Sequence, residues 1–254
     1  MLYAAKSHIG LVRQMNQDGY AVLPDLSPRQ FYVVADGMGG PSAGEVASSI
    51  AVDAVTEFVK SGISHVDMEP AELIREAIYH ANQKIFSCAK DKEEYYGMGT
   101  TLVCALVDHS EVLFAHVGDS RGYLYRNEQL TQVTNDHSLV AELVRRGQLT
   151  EDEALHHPRR NIVTRSLGTD EYSHPDLYMV PWESGDVVLL CSDGLSNLVY
   201  FGELQSFMQK VSEANTEREL ELIAESMVRL ALERGGPDNI TLILVINREE
   251  GQVA

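Results

Sequence analysis

Apolar residues along this chain follow two rhythms. Residues 31–35 (Phe31-Tyr-Val-Val-Ala35), 187–191 and 240–246 are short, nearly unbroken apolar runs, which suit strands buried on both faces. Residues 112–117 read the same way, interrupted only by His116. Elsewhere the apolar positions recur every three or four residues. Ala47, Ile50, Ala51, Ala54, Val55 and Phe58 line one face of a helix over 45–60. Ile74, Ala77, Ile78, Ala81, Ile85 and Cys88 do so over 71–90, and Leu220, Ile223, Ala224, Met227, Leu230 and Ala231 over 216–234. A helix is also expected over 202–211, and strands over 2–6, 19–23, 101–107, 122–126, 129–133 and 176–180.

The turns between these elements predict hairpins. Strands 19–23 and 31–35 flank Pro24-Asp-Leu-Ser-Pro28, and strands 101–107 and 112–117 flank Asp108-His-Ser110. Antiparallel pairing then sets Asp18 beside Asp36 at one open end, and Asp119 beside Gly99-Thr100 at the other. Asp193 follows a strand and Asp238 precedes one, so antiparallel pairing brings these two together as well.

Residues 136–168 break both rhythms. They hold a short helix stopped by Gly147, a Thr150-Glu-Asp-Glu153 capping box and a polar His156-His157-Pro158-Arg159-Arg160-Asn161 stretch. Such a segment reads as a flap inserted over the sheet. With no repeat or linker visible, a single domain over 1–247 is expected, followed by a short polar tail at 248–254. The fold class is α+β, paired sheets with helices outside.

Charge narrows the partners. The 254 residues carry 38 acidic and 20 basic side chains, a formal charge of −18, which disfavours nucleic acid and anionic lipid. Cys88, Cys104 and Cys191 have no close spacing, so no disulfide framework is implied and a reducing, cytoplasmic setting is expected. The N-terminus does not read as a signal peptide, and no apolar run nears the roughly 20 residues a membrane helix needs, so no membrane insertion is expected.

Asp18, Asp36, Asp119, Asp193 and Asp238 all fall where a strand begins or ends. Clustered, they repel unless a cation neutralises them. Oxygen-only ligands select Mg²⁺ or Mn²⁺, and no paired Cys or His suggests zinc. Two such ions about 4 Å apart can activate water and clamp a phosphoryl group. Arg13, in the loop before Asp18, could grip its oxygens. The carboxylates therefore propose a metal-dependent phosphoryl hydrolase, although an isolated Asp-Gly is more often a plain turn. Residues 37–40 lack the lysine of a P-loop, and Ser192 lacks a nucleophile-elbow pattern. His116 reads as a structural histidine inside a strand, and Asp136 as a helix cap at least as well as a catalyst.

With these residues assembled, the chain resembles the PP2C-type (PPM) metal-dependent protein serine/threonine phosphatases, in particular the short bacterial members that oppose eukaryotic-like serine/threonine kinases. The matching stretches are Arg13-Gln-Met-Asn16-Gln17-Asp18, Val34-Ala-Asp36-Gly-Met-Gly-Gly40, Met98-Gly-Thr-Thr101, His116-Val-Gly-Asp119-Ser-Arg121, Asp136-His-Ser138, His157-Pro-Arg-Arg-Asn161, Leu190-Cys-Ser-Asp193-Gly194 and Gly235-Gly-Pro-Asp238-Asn-Ile240. They span nearly the whole chain in family order. The resemblance implies a four-layer α-β-β-α sandwich: a central antiparallel β-sandwich flanked by helix pairs. It implies catalysis by Asp36, Asp193 and Asp238, with Asp36 bridging two ions and the other two on the first. The Gly37 carbonyl joins the second ion, Asp18 supports its waters, and Asp119 with Asp193 matches a third ion site. Arg13 would hold the substrate phosphate, Asn239 would support a ligand or position a water, and 136–168 would gate access.

Two departures from the family pattern stand out. Met38 and Pro41 occupy positions where relatives carry histidine, so the proton for the leaving alcohol must come from elsewhere, with a water on a third ion as the candidate. Gln17 stands where some relatives place glutamate. Phosphorylated proteins and a Ser/Thr kinase are the implied partners. Two rivals remain: an inactive phosphoprotein-binding module and a small-molecule phosphoesterase.

Overall fold

The structure, a computed structural model, describes residues 1–40, 43–62 and 68–248. Eleven strands form two antiparallel sheets among these residues. One contains β1 (Leu2–His8), β7 (Arg121–Arg126), β8 (Gln129–Gln132), β10 (Val187–Cys191) and β11 (Ile240–Ile246), in the order β1-β11-β10-β7-β8. The other contains β2 (Asp18–Leu23), β3 (Gln30–Met38), β5 (Leu102–Val107), β6 (Glu111–Val117) and β9 (Asp176–Pro181), in the order β2-β3-β5-β6-β9. A two-residue β4 (Gly99–Thr100) pairs with the far end of β3.

Alternation along the strands explains why they read as unbroken apolar runs. Phe31, Val33 and Ala35 of β3 face out, into a core shared with helices α1 (Ala43–Gly62) and α2 (Pro70–Asp91). Tyr32 and Val34 face in, toward Val188, Leu190, Ile243 and Val245 of the opposite sheet. Strands β10 and β11 repeat the pattern. Leu189 and Leu244 pack outward against α6 (Phe201–Glu213) and α7 (Glu217–Glu233). Each strand of this central pair therefore has two buried faces, and a fully buried aliphatic or aromatic side chain stabilises by about 1.5–3 kcal/mol. The result is the expected α-β-β-α sandwich.

The expected hairpins form, and their register decides what meets at their ends. Asp18 lies directly opposite Asp36, and the ladder continues to Leu23 opposite Phe31. Directly opposed residues in an antiparallel pair present their side chains on one face. Strand β10 runs antiparallel to β11, with Cys191 opposite Leu242. The strand ends there, and Asp193 opens a short helix α5 (Asp193–Ser196) that the apolar pattern did not reveal. Strand β1 runs two residues further than expected because it pairs along the whole of β11.

The insertion carries α3 (Leu139–Arg145) and α4 (Glu151–Leu155), the latter with the expected Thr150–Glu153 capping box. It is fastened to the body at both ends. His137 N donates to the Gly118 carbonyl at 2.9 Å at its start, and Leu167 bridges Thr100 at its end, while Ser138 and Val163 bridge to each other within the insertion. Ser138 caps α3, its Oγ accepting from Ala141 N at 3.3 Å. Asp136, the expected cap, instead takes the Arg121 guanidinium through Nε at 3.0 Å and Nη2 at 2.7 Å. Pro41 and residues 249–254 of the expected tail lie outside the described residues.

Candidate metal centre

One cavity of about 660 Å³ opens where the sheets meet, and Arg13, Asp36, Gly37, Asp119, Asp193 and Asp238 all line it. Asp36 and Gly37 share the end of β3 and each of the others arrives from a different strand end or loop, so no single stretch of sequence contains the site. Asp36 sits near the end of β3, its backbone held on both sides. Asp36 N donates to Thr101 Oγ1 at 3.1 Å, and its carbonyl accepts from Thr101 N at 2.8 Å. Gly37 is required by close approach: a Cβ there would stand 2.0 Å from the Gly44 carbonyl oxygen in the first turn of α1. Gly194 is equally pinned, with its Cβ position 1.8 Å from the carbonyl oxygen of Asn239. That contact draws the start of α5, carrying Asp193, against the turn carrying Asp238.

Asp18 stands behind the cavity wall rather than on it. Its Oδ2 accepts from Ser192 Oγ at 2.9 Å, and Ser192 Oγ in turn accepts from Thr241 N at 3.0 Å. The Thr241 hydroxyl also favours the ionised form of Asp18. Ser192 and Thr241 are fully buried, so β11 and the residue just past β10 in one sheet orient a carboxylate belonging to the other. Ser192 lacks a nucleophile-elbow pattern and serves instead to orient Asp18; its place directly before Asp193 is the one signal of this in the sequence.

The electrostatics are those of acids packed together. Burial above all pushes Asp18 up to about 7, with the charges of Asp193 and Asp238 adding to it. Burial also pushes Asp119 up to about 7, and Asp193 is the first neighbour to contribute. Asp36 is held well above the usual carboxylate range by burial and then by Asp18 and Asp193. Asp193 is raised by burial and by Asp238. Asp18 Oδ1 and Asp193 Oδ1 are buried without a hydrogen-bond partner.

These features fit hard divalent cations: an all-oxygen donor set, unpartnered buried oxygens and negative charge that needs neutralising. Among the described residues, no three His, Cys, Asp or Glu side chains close a cage around one point. Waters would then have to complete the coordination of any ion held here, as they do for Mg²⁺ on one or two carboxylates. The set therefore fits hydrated ions shared across the cavity.

Arg13 stands half-exposed at the rim, its Nη2 2.8 Å from Asp238 Oδ2. Asn239 is 3% exposed and its side chain is committed to backbone. Nδ2 donates to the carbonyls of Ile9 at 2.8 Å and Met15 at 3.0 Å, and Oδ1 accepts from Gln17 N at 2.8 Å. Both amide protons are thus used on the loop before Asp18, which leaves no donor for a water. Met38 lines the cavity, and among the described residues no His, Lys, Cys or Tyr does. Asn161 and Val163 bring the insertion to the cavity wall.

His116 is fully buried in β6, Nε2 2.8 Å from the Asn135 carbonyl. It stacks on His137 with ring centroids 4.3 Å apart. His137 Nδ1 accepts from Gly118 N at 3.1 Å, so its proton sits on Nε2, 3.3 Å from Asp176 Oδ2. The two histidines thus tie the root of the insertion to the sheet.

The chain as a whole is similar to known proteins. The protein phosphatase 2C family matches residues 6–230. The serine/threonine phosphatase stp of Listeria monocytogenes is 40% identical over 237 residues, covering 93% of this chain and 92% of that one. The protein phosphatase PhpP of Streptococcus pneumoniae is 41% identical over 244 residues, covering 95% and 96%. The crystal structure of the catalytic domain of the serine/threonine protein phosphatase PstP in complex with two manganese ions superposes with a TM-score of 0.78 at 33% identity, covering 95% of this chain and 96% of that one.

Proposed function

The chain belongs to the protein phosphatase 2C family and is a metal-dependent protein serine/threonine phosphatase; from that premise we propose which residues carry the reaction. Asp36, the Gly37 carbonyl, Asp193 and Asp238 would hold two ions, Mn²⁺ or Mg²⁺, with Asp18 supporting the surrounding waters. Asp119 with Asp193 would take a third. Bound there, such ions lower the pKa of water and neutralise charge on a phosphoryl group.

The chain's own residues supply position and charge. Arg13 binds the phosphate of a phosphoserine or phosphothreonine and stabilises the charge that builds on its oxygens in flight. Ser192 and Thr241 fix the orientation of Asp18. The P–O bond to the side chain breaks as water adds to phosphorus, giving inorganic phosphate and the free alcohol. No His, Lys, Cys or Tyr among the described residues lines the cavity, and its aspartates would be ionised against the ions they hold, so water there is the proposed donor of the proton to the departing oxygen. The insertion over 136–168, whose Asn161 and Val163 reach the cavity, gates substrate entry.

Phosphoproteins are the substrates, and a Ser/Thr kinase acting on the same proteins is the natural opposing enzyme. The formal charge of −18 disfavours nucleic acid as a partner. No described helix is long and apolar enough to cross a membrane. All three cysteines are free, which suits a reducing cytoplasm.

The observation that carries the residue assignment is the convergence of acids from separate strand ends on one cavity with an arginine at its rim. Asp36→Asn should abolish Mn²⁺-dependent turnover of a phosphothreonine peptide and weaken Mn²⁺ binding by calorimetry, with the fold retained by circular dichroism. Undiminished turnover in this variant would remove Asp36 from the centre. Turnover of nucleotides in preference to phosphopeptide would favour a small-molecule phosphoesterase.

A further inference from the structure

The loop that carries Arg13 has no secondary structure of its own. It runs between the end of β1 at His8 and the start of β2 at Asp18. Its tip is open to solvent, with Leu11 64% and Val12 68% exposed. A loop of this kind ordinarily samples many conformations, and its arginine would spend little time aimed at one point. Something must hold it.

The end of the loop beside β2 is held by the end of β3, with Gly37 N on the Gln17 carbonyl at 3.0 Å and Gln17 Nε2 on the Gly40 carbonyl at 2.7 Å, but around Arg13 the fastening comes from the turn before β11, more than two hundred residues away. Asn239 holds the loop at three backbone points: the carbonyls of Ile9 and Met15, and the amide of Gln17. These points lie on both sides of Arg13. The same turn takes Leu11 N on the Gly236 carbonyl at 2.7 Å. Gly10, at φ +84°, lies so close that a Cβ would stand 2.2 Å from the Asp238 carbonyl oxygen. The residue next to Asn239 is Asp238, whose carboxylate meets the Arg13 guanidinium.

We infer that Asn239 is a positioning residue for substrate phosphate: it clamps the Arg13 loop onto the turn that bears Asp238, so that the phosphate grip and the metal centre share one rigid mount. The inference rests on the reading of Arg13 as the phosphate-binding residue. An asparagine suits the task because one side chain offers two donors and an acceptor in a fixed plane. Aspartate keeps only the acceptor and adds charge, while alanine leaves two carbonyls and an amide unpartnered. The grip on substrate is thus set by a residue that touches neither phosphate nor metal.

The test is a double-mutant cycle on the full chain with Mn²⁺ and a phosphothreonine peptide. A hydrogen bond to a charged group contributes about 1.5–3 kcal/mol, so Arg13→Ala should raise KM roughly 10- to 100-fold. Asn239→Ala should raise KM about tenfold with a smaller change in kcat. In the Arg13→Ala background the same substitution should cost under about twofold, because its effect runs through Arg13. Mn²⁺ affinity by calorimetry should stay within about threefold of wild type, and the Gln17 amide should exchange hydrogen faster.

An Asn239 effect of equal size in both backgrounds would overturn the inference, as would a Mn²⁺ affinity that falls in step with activity. If Arg13→Ala leaves KM unchanged, the reading of Arg13 itself fails. If Asn239→Ala does not fold, Asn239→Asp, which retains the acceptor for Gln17 N, carries the same cycle.

Discussion

Replacing Gly194 by alanine would put a methyl carbon 1.8 Å from the carbonyl oxygen of Asn239. Local propensity argues the other way. Gly194 lies in α5, and exchanging a helical glycine for alanine ordinarily stabilises by up to about 1 kcal/mol. The tertiary contact reverses the sign. Ordinary van der Waals contact begins near 3.4 Å, and the obstructing atom is backbone that cannot rotate away. The start of α5 and the turn before β11 must therefore separate by about 1.5 Å, a shift large enough for overpacking to cost about 1–3 kcal/mol of stability. Those two segments carry Asp193 and Asp238. A misplacement of about 1 Å at a reacting centre can cost on the order of 100-fold in rate. We therefore expect Gly194→Ala to lower kcat/KM by roughly 100-fold or more, about 2.7 kcal/mol of transition-state stabilisation. The assay is phosphothreonine-peptide turnover across a Mn²⁺ titration, paired with urea unfolding. A variant as stable as wild type with kcat/KM within about threefold would refute the argument that this contact sets the spacing of the two acids.

Two predictions concern pH. In metal-free protein the buried Asp18 and Asp119 carboxyls have folded values near 7, above their unfolded values, so the folded state binds more protons and stability falls as pH rises from about 4 through 7. Urea melts in chelator should show wild type less stable than Asp119→Asn at pH 8, with the gap narrowing by pH 5; a constant gap would contradict the buried-carboxyl account. His137 works in the opposite sense. Burial, then His116 and Arg165, lower it to about 4, so its contribution is present above the unfolded value near 6.5 and is lost as pH falls from there toward 4. The difference in stability between wild type and His137→Gln should shrink across that window, and a pH-independent difference would place the effect in packing alone.

Much of the architecture was legible in the sequence because burial on two faces leaves a simple trace. Runs such as 31–35 and 187–191 are apolar throughout because the inner residues meet the opposite sheet and the outer ones meet helices. The turn residues between 23 and 31 predicted a hairpin, and its register put Asp18 beside Asp36. The aspartates at strand ends announced the chemistry, since a carboxylate gains nothing from such a place unless something neutralises it.

The spacing and support of those groups belonged to the tertiary structure alone. No periodicity in the chain marks Gly37 or Gly194 as contact points; their need for hydrogen comes from backbone delivered by distant segments. The same holds for Ser192 and Thr241, which reach Asp18 across the sandwich, and for Asn239, which closes a loop from the other end of the chain. Hydrophobic patterning is a local code, because each residue only has to match the period of its own element. Hydrogen bonds and hard contacts between elements are pairwise, and the partner is known only once the chain has folded.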